Sequence, residues 1–326
     1  MAIIRLRSPY FYKKTKSGTY GSADLSITIG GTQRYLLRKD TTDVSGTATV
    51  MWEVSELLRD YLDVTWDGTT LPYPSNRVVA SLQVDWFTLN KQDRAQASST
   101  PTAAASDTAE TFYGFDAYSF FNEGSNKTIT ASSLLQSNTS VFIPDGVTAY
   151  IPKEDGANGI NYHTILGTVT DGTVVDIANV DVTVNRICDP VHTIVQLVFV
   201  NKFGALQELW FNKKSVENFN STNSEYANLL TTATSHTYSS TQHQNYVYNK
   251  QGKRNITLNT GYVDETIFQP LQELILSENV WAKIDNVVYP VKILTKQLEK
   301  KTRINNKIID YTIECEFAFD VINSVR

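Results

Sequence analysis

A chain of 326 residues is long enough for two or three compact domains, each with its own core. With 41% hydrophobic residues, 19% charged residues and two cysteines, the composition excludes a disordered tract and a disulfide-framework domain. No apolar run nears the ~18 to 20 residues of a membrane-crossing helix, and a net charge of −5 argues against sequence-specific nucleic-acid binding.

The amino-terminal segment, Met1 to Lys16, collects Arg5, Arg7, Lys13, Lys14 and Lys16 without an acid. Such a run is either the solvated face of a strand or a contact for an acidic protein neighbour. Its apolar part is too short for a secretory signal, so none is expected, and the Asn-x-Ser/Thr triplets beginning at Asn126, Asn138, Asn220 and Asn255 carry little meaning without one. Leu25, Ile27 and Ile29 alternate with polar neighbours, Gly30-Gly31 supplies a two-residue turn, and Gln33 to Leu37 returns as the second strand of a hairpin. Thr47 to Val54 is another β-prone run. Ser55 is placed to cap a short helix, Glu56 to Leu62, with Leu57, Leu58, Tyr61 and Leu62 on one face. Asp63 to Asn76, with Gly68, Pro72 and Pro74, reads as a loop. Arg77 to Leu89 alternates Val78, Ala80, Leu82, Val84 and Trp86 with mostly polar residues, and completes roughly ninety residues with the spacing of a small β-sandwich.

Asn90 to Glu110, rich in Ala, Ser, Thr and Asp and without periodicity, reads as a linker or surface excursion. Thr111 to Phe121, TFYGFDAYSFF, then concentrates aromatic residues. Its alternate rings either fill a core or form a stacking platform for a sugar or a partner, with Tyr113, Phe115 and Tyr118 as the ligand-binding candidates. Phe142 to Tyr150, turning at Asp145-Gly146, reads as a hairpin, Pro152 to Asn161 as a loop, and Val174 to Val184 as a return to strand.

Val195 to Trp210, VQLVFVNKFGALQELW, is the most apolar stretch of the chain: a strand covered on both faces, a turn at Lys202 to Gly204, and a returning strand. Ser215 to Gln244, rich in Asn, Ser and Thr, reads as a long loop or a short helix plus loop, of a kind often used for contacts. Tyr246 to Leu258 is a strand or a hairpin around Gly252. A helix is expected between Asp264 and Glu278, with Pro270 as its first residue and Leu271, Leu274 and Ile275 on one face. Val280 to Ile284, Asp285-Asn286 and Val287 to Leu294 make a hairpin, and Asn305-Asn306 a further turn. Lys292 to Lys307 is a second basic segment, with six bases against Glu299. In the last strand Ile309, Tyr311, Ile313, Cys315, Phe317 and Phe319 face one way and acids mostly the other, the mark of a half-buried antiparallel strand. Cys315 then reads as a small core residue, although one bridge with Cys188 stays open by count.

Residues suited to chemistry are few. His163, His192, His236 and His243 form no metal-ligand spacing, and no nucleophile elbow, phosphate loop or dinucleotide fingerprint occurs. Lys153 to Asn158, KEDGAN, lacks the spacing of a calcium loop and reads as a turn. Glu314 and Glu316 share a strand face, which is ordinary for an exposed sheet. Neither a cofactor nor a metal is expected.

Several segments together carry a resemblance. VMWEVSELLRDYL, then VQLVFVNKFGALQELWF, KRNITLNTGYVDE, LILSENVWAKID, VVYPVKIL and IIDYTIECEFAF stand in the same order as in a group of virion proteins of tailed phages and prophages of Bacteroidota, which the chain resembles. The likeness covers the carboxy-terminal third best and the middle least. It implies a non-enzymatic structural component of a tail, neck ring, hub or baseplate, located in the virion after synthesis in the host cytoplasm. Its partners would be copies of itself in a ring-like homo-oligomer and other tail proteins. Within that role the basic residues Arg5, Arg7, Lys13, Lys14, Lys300, Lys301 and Arg303 are interface candidates, and the alternative is a host-attachment module that binds a surface glycan through residues 112–121.

The fold class expected is mainly β: two or more antiparallel sandwich or sheet domains with one or two short helices packed on them. Three regions are expected, an amino-terminal β-sandwich-like domain at 1–90, a middle or inserted β region at 91–187, and a carboxy-terminal antiparallel domain at 188–326.

Overall fold

The computed structural model describes residues 2–68, 76–119, 127–128, 133–155, 159–187, 192–231, 237–302 and 309–321. The protein is mainly β, with several antiparallel sheets and, among the described residues, three short α-helices. Its internal contacts group into two compact units: Met1–Arg186 with Phe199–Glu208, and Ile187–Val198 with Leu209–Arg326.

The first unit opens with β1 (Ala2–Arg5), β2 (Phe11–Ser17), β3 (Ser22–Ile29), β4 (Thr32–Asp40), β5 (Thr42–Val44) and β6 (Thr47–Glu53). Then come α1 (Ser55–Arg59), β7 (Val78–Phe87), α2 (Lys91–Gln96), β8 (Ala105–Ser106) and β9 (Glu110–Phe115). β10 (Lys127–Thr128), β11 (Ser140–Pro144), β12 (Ala149–Asp155), β13 (Gly159–Ile165), β14 (Thr173–Ile177) and β15 (Val180–Ile187) follow. One sheet runs β10-β1-β9-β7-β3-β4 and another β2-β6-β5. Their inward residues, among them Leu25, Ile27, Val50, Trp52, Leu82 and Trp86, share one buried cluster with Leu58 of α1. Alternation drives this arrangement, because a strand with one apolar face is stable only when that face is covered. The β3–β4 turn uses Gly30 and Gly31 at φ 59° and 77°, a conformation open to glycine at no steric cost.

Three sequence readings change here. Helix α1 starts at Ser55 rather than being capped by it: Val54 holds the cap position, and the Glu53 carboxylate accepts from both the backbone N–H of Ser55 (2.9 Å) and its hydroxyl. Asn90 to Glu110 is tied down, not a bare linker. The Asn90 side chain accepts from Asp93 N at 2.8 Å and caps α2, and Arg94 makes a two-pronged pair with buried Asp24 at 2.7 Å on each side. Beyond α2, Asp107 accepts from Lys16 Nζ at 2.6 Å and Trp86 Nε1 at 2.9 Å, and β9 runs between β1 and β7. Lastly, Phe142 to Tyr150 is no hairpin, since β11 pairs with β15 and β12 with β13 across what read as a loop at Pro152 to Asn161. Pro152 is tolerated in β12 because its backbone faces away from β13: its carbonyl accepts Leu135 N at 2.9 Å, so the missing N–H removes no bond to β13. Of the KEDGAN turn, Lys153 to Asp155 belong to β12, and 156–158 lie outside the described residues.

A buried arginine orders the loops of this region. Arg186, 8% exposed, donates from Nε to Val169 O (2.8 Å), from Nη1 to Pro144 O (3.0 Å) and Val147 O (2.9 Å), and from Nη2 to Leu166 O (2.6 Å). Its backbone N–H donates to Asp171 Oδ1 at 2.6 Å. The planar fork thus gives partners to carbonyls of two chain reversals that no strand could serve.

The chain continues with β16 (Val195–Val200), β17 (Leu206–Phe211), β18 (Val216–Ala227) and β19 (Asn245–Asn259). After a 3₁₀ turn at Glu265–Ile267 come α3 (Phe268–Leu276), β20 (Val280–Ile284), β21 (Val287–Ile293) and β22 (Thr312–Phe317). These strands form one sheet in the order β17-β16-β20-β21-β22-β19-β18. The strands and turn expected at Val195 to Trp210 are present, with Phe199–Glu208 grouped in the first unit. There Asn201 builds the turn: its Oδ1 accepts from Phe203 N (3.0 Å) and Ala205 N (3.1 Å), and its Nδ2 donates to Leu135 O (2.7 Å) and Gln207 Oε1 (3.0 Å). Gly204, at φ 81°, lies so near Phe115 that an added Cβ would sit 2.7 Å from the Phe115 Cβ.

Pro270 is the third residue of α3, not the first, but it still lies in the first turn, where no intrahelical partner awaits its missing N–H. The β20–β21 turn places Asp285 and Asn286 at φ 49° and 65°, as expected. In β22, Ile313, Cys315 and Phe317 are buried, but Phe319 lies beyond the strand and is exposed. Cys315 is a buried free thiol whose pKa is pushed up to about 12 by burial and then by Glu314. Cys188 and the Asn305-Asn306 turn lie outside the described residues.

Two predictions follow from the first unit. Arg186→Met takes a donor from four carbonyls, one buried and three partly buried, and should destabilise the fold by on the order of 2 kcal/mol, read as a lowered melting temperature. An unchanged melting curve would show that water replaces the guanidinium. For Asp107, burial raises the carboxyl pKa, but the bonds from Lys16 and Trp86 and the charges of Lys16 and Lys14 outweigh it and hold it below the usual range. A depressed carboxylate contributes stability that is present above its unfolded pKa and lost as pH falls through the folded one. The melting temperature should therefore fall on acidification below about pH 4, less steeply in Asp107→Asn, and parallel profiles would refute the assignment.

Candidate interaction surface

Ser215 to Gln244, read as a loop, contains a twelve-residue strand, β18, paired antiparallel with the fifteen-residue β19 from Val216↔Thr257 to Ala227↔Asn245. Of the two readings of Tyr246 to Leu258, strand or hairpin around Gly252, the strand is found, because β19 passes straight through that residue. Every β18 side chain is exposed except half-buried Ser224, so neither face carries an apolar stripe. Burial alternation, the usual mark of a strand, cannot arise where both faces are wet.

The root of the ribbon is held firmly. β22 pairs with β19 from Asn255 to Asn259, Lys253 Nζ meets Glu316 Oε1 at 3.0 Å, and Arg254 meets Glu217 at 2.6 Å while lying over the Phe317 ring. Phe219 lies across Gly252, where an added Cβ would come within 2.4 Å of the ring. A register shift between Thr222 and Ser224 sets Asn249 and Lys250 opposite Asn223, with Asn249 at φ 50°, so the bulge belongs to β19.

Beyond the bulge lies an exposed aromatic cluster. Tyr226 and Tyr246 stack at 5.5 Å between centroids, Tyr248 meets Tyr226 edge-on at 5.8 Å, and His243 lies 5.9 Å from Tyr246. Tyr226 is 52% exposed and Tyr248 53%, while Phe219 and Val247 on the same ribbon are also exposed. Apolar surface of this extent on a two-stranded arm is unusual unless something covers it.

The basic candidates fare differently. Lys13 and Lys300 are exposed. Lys14 is paired with Glu110, and Lys301 donates from Nζ to Asp310 Oδ1 at 3.0 Å and Asp310 O at 2.6 Å. Arg5 is half-buried, with its pKa lowered by burial, and Arg7 lies over Tyr118 at 5.5 Å from the ring centroid. Arg303 lies outside the described residues. Much of the apparent basic patch is therefore matched within the chain.

Among the described residues of the expected aromatic platform at 112–121, Tyr113 and Phe115 offer no open ring face. Phe115 is fully buried and Tyr113 is 8% exposed beneath Arg77, whose guanidinium lies 4.3 Å from its centroid. Tyr118 is half-buried. Rings that fill a core leave no face for a sugar to stack on. Residues 120–126 lie outside the described residues.

A cleft of about 340 Å³ beside α1 is lined by Arg7, Phe11, Glu53, Ser55, Glu56 and Arg59 together with Leu6, Ser8 and Pro9. Its charges balance, and Glu53 already accepts from Tyr10 N, Ser55 N and the Ser55 hydroxyl. Among the described residues no group of three or more His, Cys, Asp or Glu could hold a metal ion, and His236 lies outside them. No family model, curated protein or solved structure matches this chain.

The two basic neighbours can be separated experimentally. Lys301→Glu sets two acids together at Asp310 and should lower the melting temperature, whereas exposed Lys300→Glu should leave it unchanged. Equal effects in thermal denaturation would show that the Lys301–Asp310 pair contributes nothing.

Proposed function

We propose that this chain is a non-enzymatic structural protein of a tailed-phage virion, one that oligomerises with copies of itself and with other proteins of the tail or neck. The observation that supports the reading is the β18–β19 ribbon, a long arm with exposed Phe219, Tyr226, Val247 and Tyr248. A two-stranded ribbon with wet faces gains little stability for the chain itself, whereas rigid aromatic side chains on it bury large area against a neighbour at low entropic cost. Subunits repeated around an axis meet that description, because each one's arm has a neighbour to cover it. The ordered sequence resemblance to virion proteins supplies the biological setting.

Assembly tests this directly. Purified protein should associate as its concentration rises toward ~100 µM, and the triple variant Phe219→Ser, Tyr226→Ser, Tyr248→Ser should weaken association by roughly a hundredfold with little change in melting temperature. Analytical ultracentrifugation gives both values. A wild-type chain that stays monomeric throughout, or a triple variant that assembles normally, would overturn the reading.

A further inference from the structure

We infer that the outer edge of β18 accepts a strand from a second copy of this chain, antiparallel to that copy's own β18. This rests on the assembly reading above and names its partner and its mode of contact.

β18 is the last strand of its sheet, so along its twelve residues, ~40 Å, alternate N–H and C=O groups face away from β19. Proteins that must keep such an edge single place lysine, arginine, proline or a bulge on it. The edge strand β4 of the first unit has that protection, with Arg34, Arg38 and Lys39 all exposed. β18 has none of it. Val216–Ala227, VENFNSTNSEYA, contains no lysine, arginine or proline, and the local bulge falls on β19, so the outer strand stays regular.

Its side chains also suit a second copy of themselves. Only Glu217 and Glu225 are charged. Opposite residues of an antiparallel pair face each other with the same backbone orientation, so a regular strand paired with its own copy must set residues of like parity together. The register that sets Thr222 opposite Thr222 puts Glu225 across from Phe219, Glu217 across from Ala227, and Asn220 across from Ser224. No like charges face each other there, and the centre is a run of amides and hydroxyls able to bond across the strands. The neighbouring allowed register, shifted by two residues so that Ser221 faces Ser221, would bring Glu217 against Glu225. The charges therefore favour the first register over the second.

The experiment uses the full chain with Cys188→Ser, the remaining cysteine, Cys315, being buried. Of the adjacent residues Asn220 and Ser221, one points its N–H outward, so Asn220→Pro and Ser221→Pro form a matched pair that circular dichroism and melting sort into a ribbon-breaking and a ribbon-sparing variant. The ribbon-sparing proline should weaken association by roughly tenfold or more. Thr222→Cys copies, or a mixture of Ser221→Cys and Asn223→Cys copies, should form a disulfide dimer on mild oxidation, while Glu217→Cys alone should not. A ribbon-sparing proline that associates normally, while the aromatic triple variant does not, would overturn the edge contact and leave the structural role standing. Proline-sensitive association without either of these bridges would overturn β18 as the donor. If neither proline nor the aromatic substitutions matter, both readings fail.

Discussion

A buried carbonyl or N–H without a partner costs ~1 to 3 kcal/mol, and in a chain made mostly of short sheets many of these groups fall outside any ladder. Side chains settle that cost at the points where the strands cannot. Arg186 serves four carbonyls from 144–147 and 166–169, Asn201 holds both ends of its own turn, and Glu53 takes the donors at the start of α1. Each is a polar residue at a place where an apolar one would pack better but leave the backbone unserved. The same constraint singles out β18. Its outward groups are exposed, so water satisfies them, but water is a replaceable partner, and another strand would serve equally well.

Charge is handled in a similar way. The amino-terminal bases look like an electropositive patch only while the rest of the chain is ignored. Folding brings Glu110 to Lys14 and Asp107 to Lys16, residues more than ninety positions away in sequence, and Asp24 to Arg94. The segment that supplies Asp107, Glu110 and Arg94 is the one whose composition suggested a linker. Acids placed beside a basic strand hold that segment in position, which accounts for the order found there despite its lack of periodicity.

How much could be read beforehand depended on whether one face of an element is dry. β3, β7 and β22 show period-two alternation because a core lies under one side of each, and the β3–β4 and β20–β21 turns show in their Gly-Gly and Asp-Asn pairs. β12 and β13 were hidden by Pro152 and Gly159, which count as loop residues unless it is known which backbone groups pair. α2 had a usable signal, Asn90 three residues before Asp93, but too short an apolar pattern to follow it. In the candidate surface, the Tyr246-Val247-Tyr248 spacing was the available sign of a strand, and it lay beside a segment so polar that nothing indicated a partner for it.

The ribbon is thus invisible to burial patterns for the reason that makes it suitable as a contact. Residues selected to fill the chain's own core must alternate, and those on β18 and the distal half of β19 do not. What they have instead is cross-strand complementarity: Tyr226 against Tyr246, Phe219 over Gly252, Arg254 with Glu217. These interactions stiffen an arm without burying it. An arm already ordered before contact loses little conformational entropy on docking, so more of the energy of its exposed rings and open edge is left for binding. Rigidity without coverage is costly for an isolated chain and useful in an assembly, and that asymmetry is the physical ground of the proposed self-association.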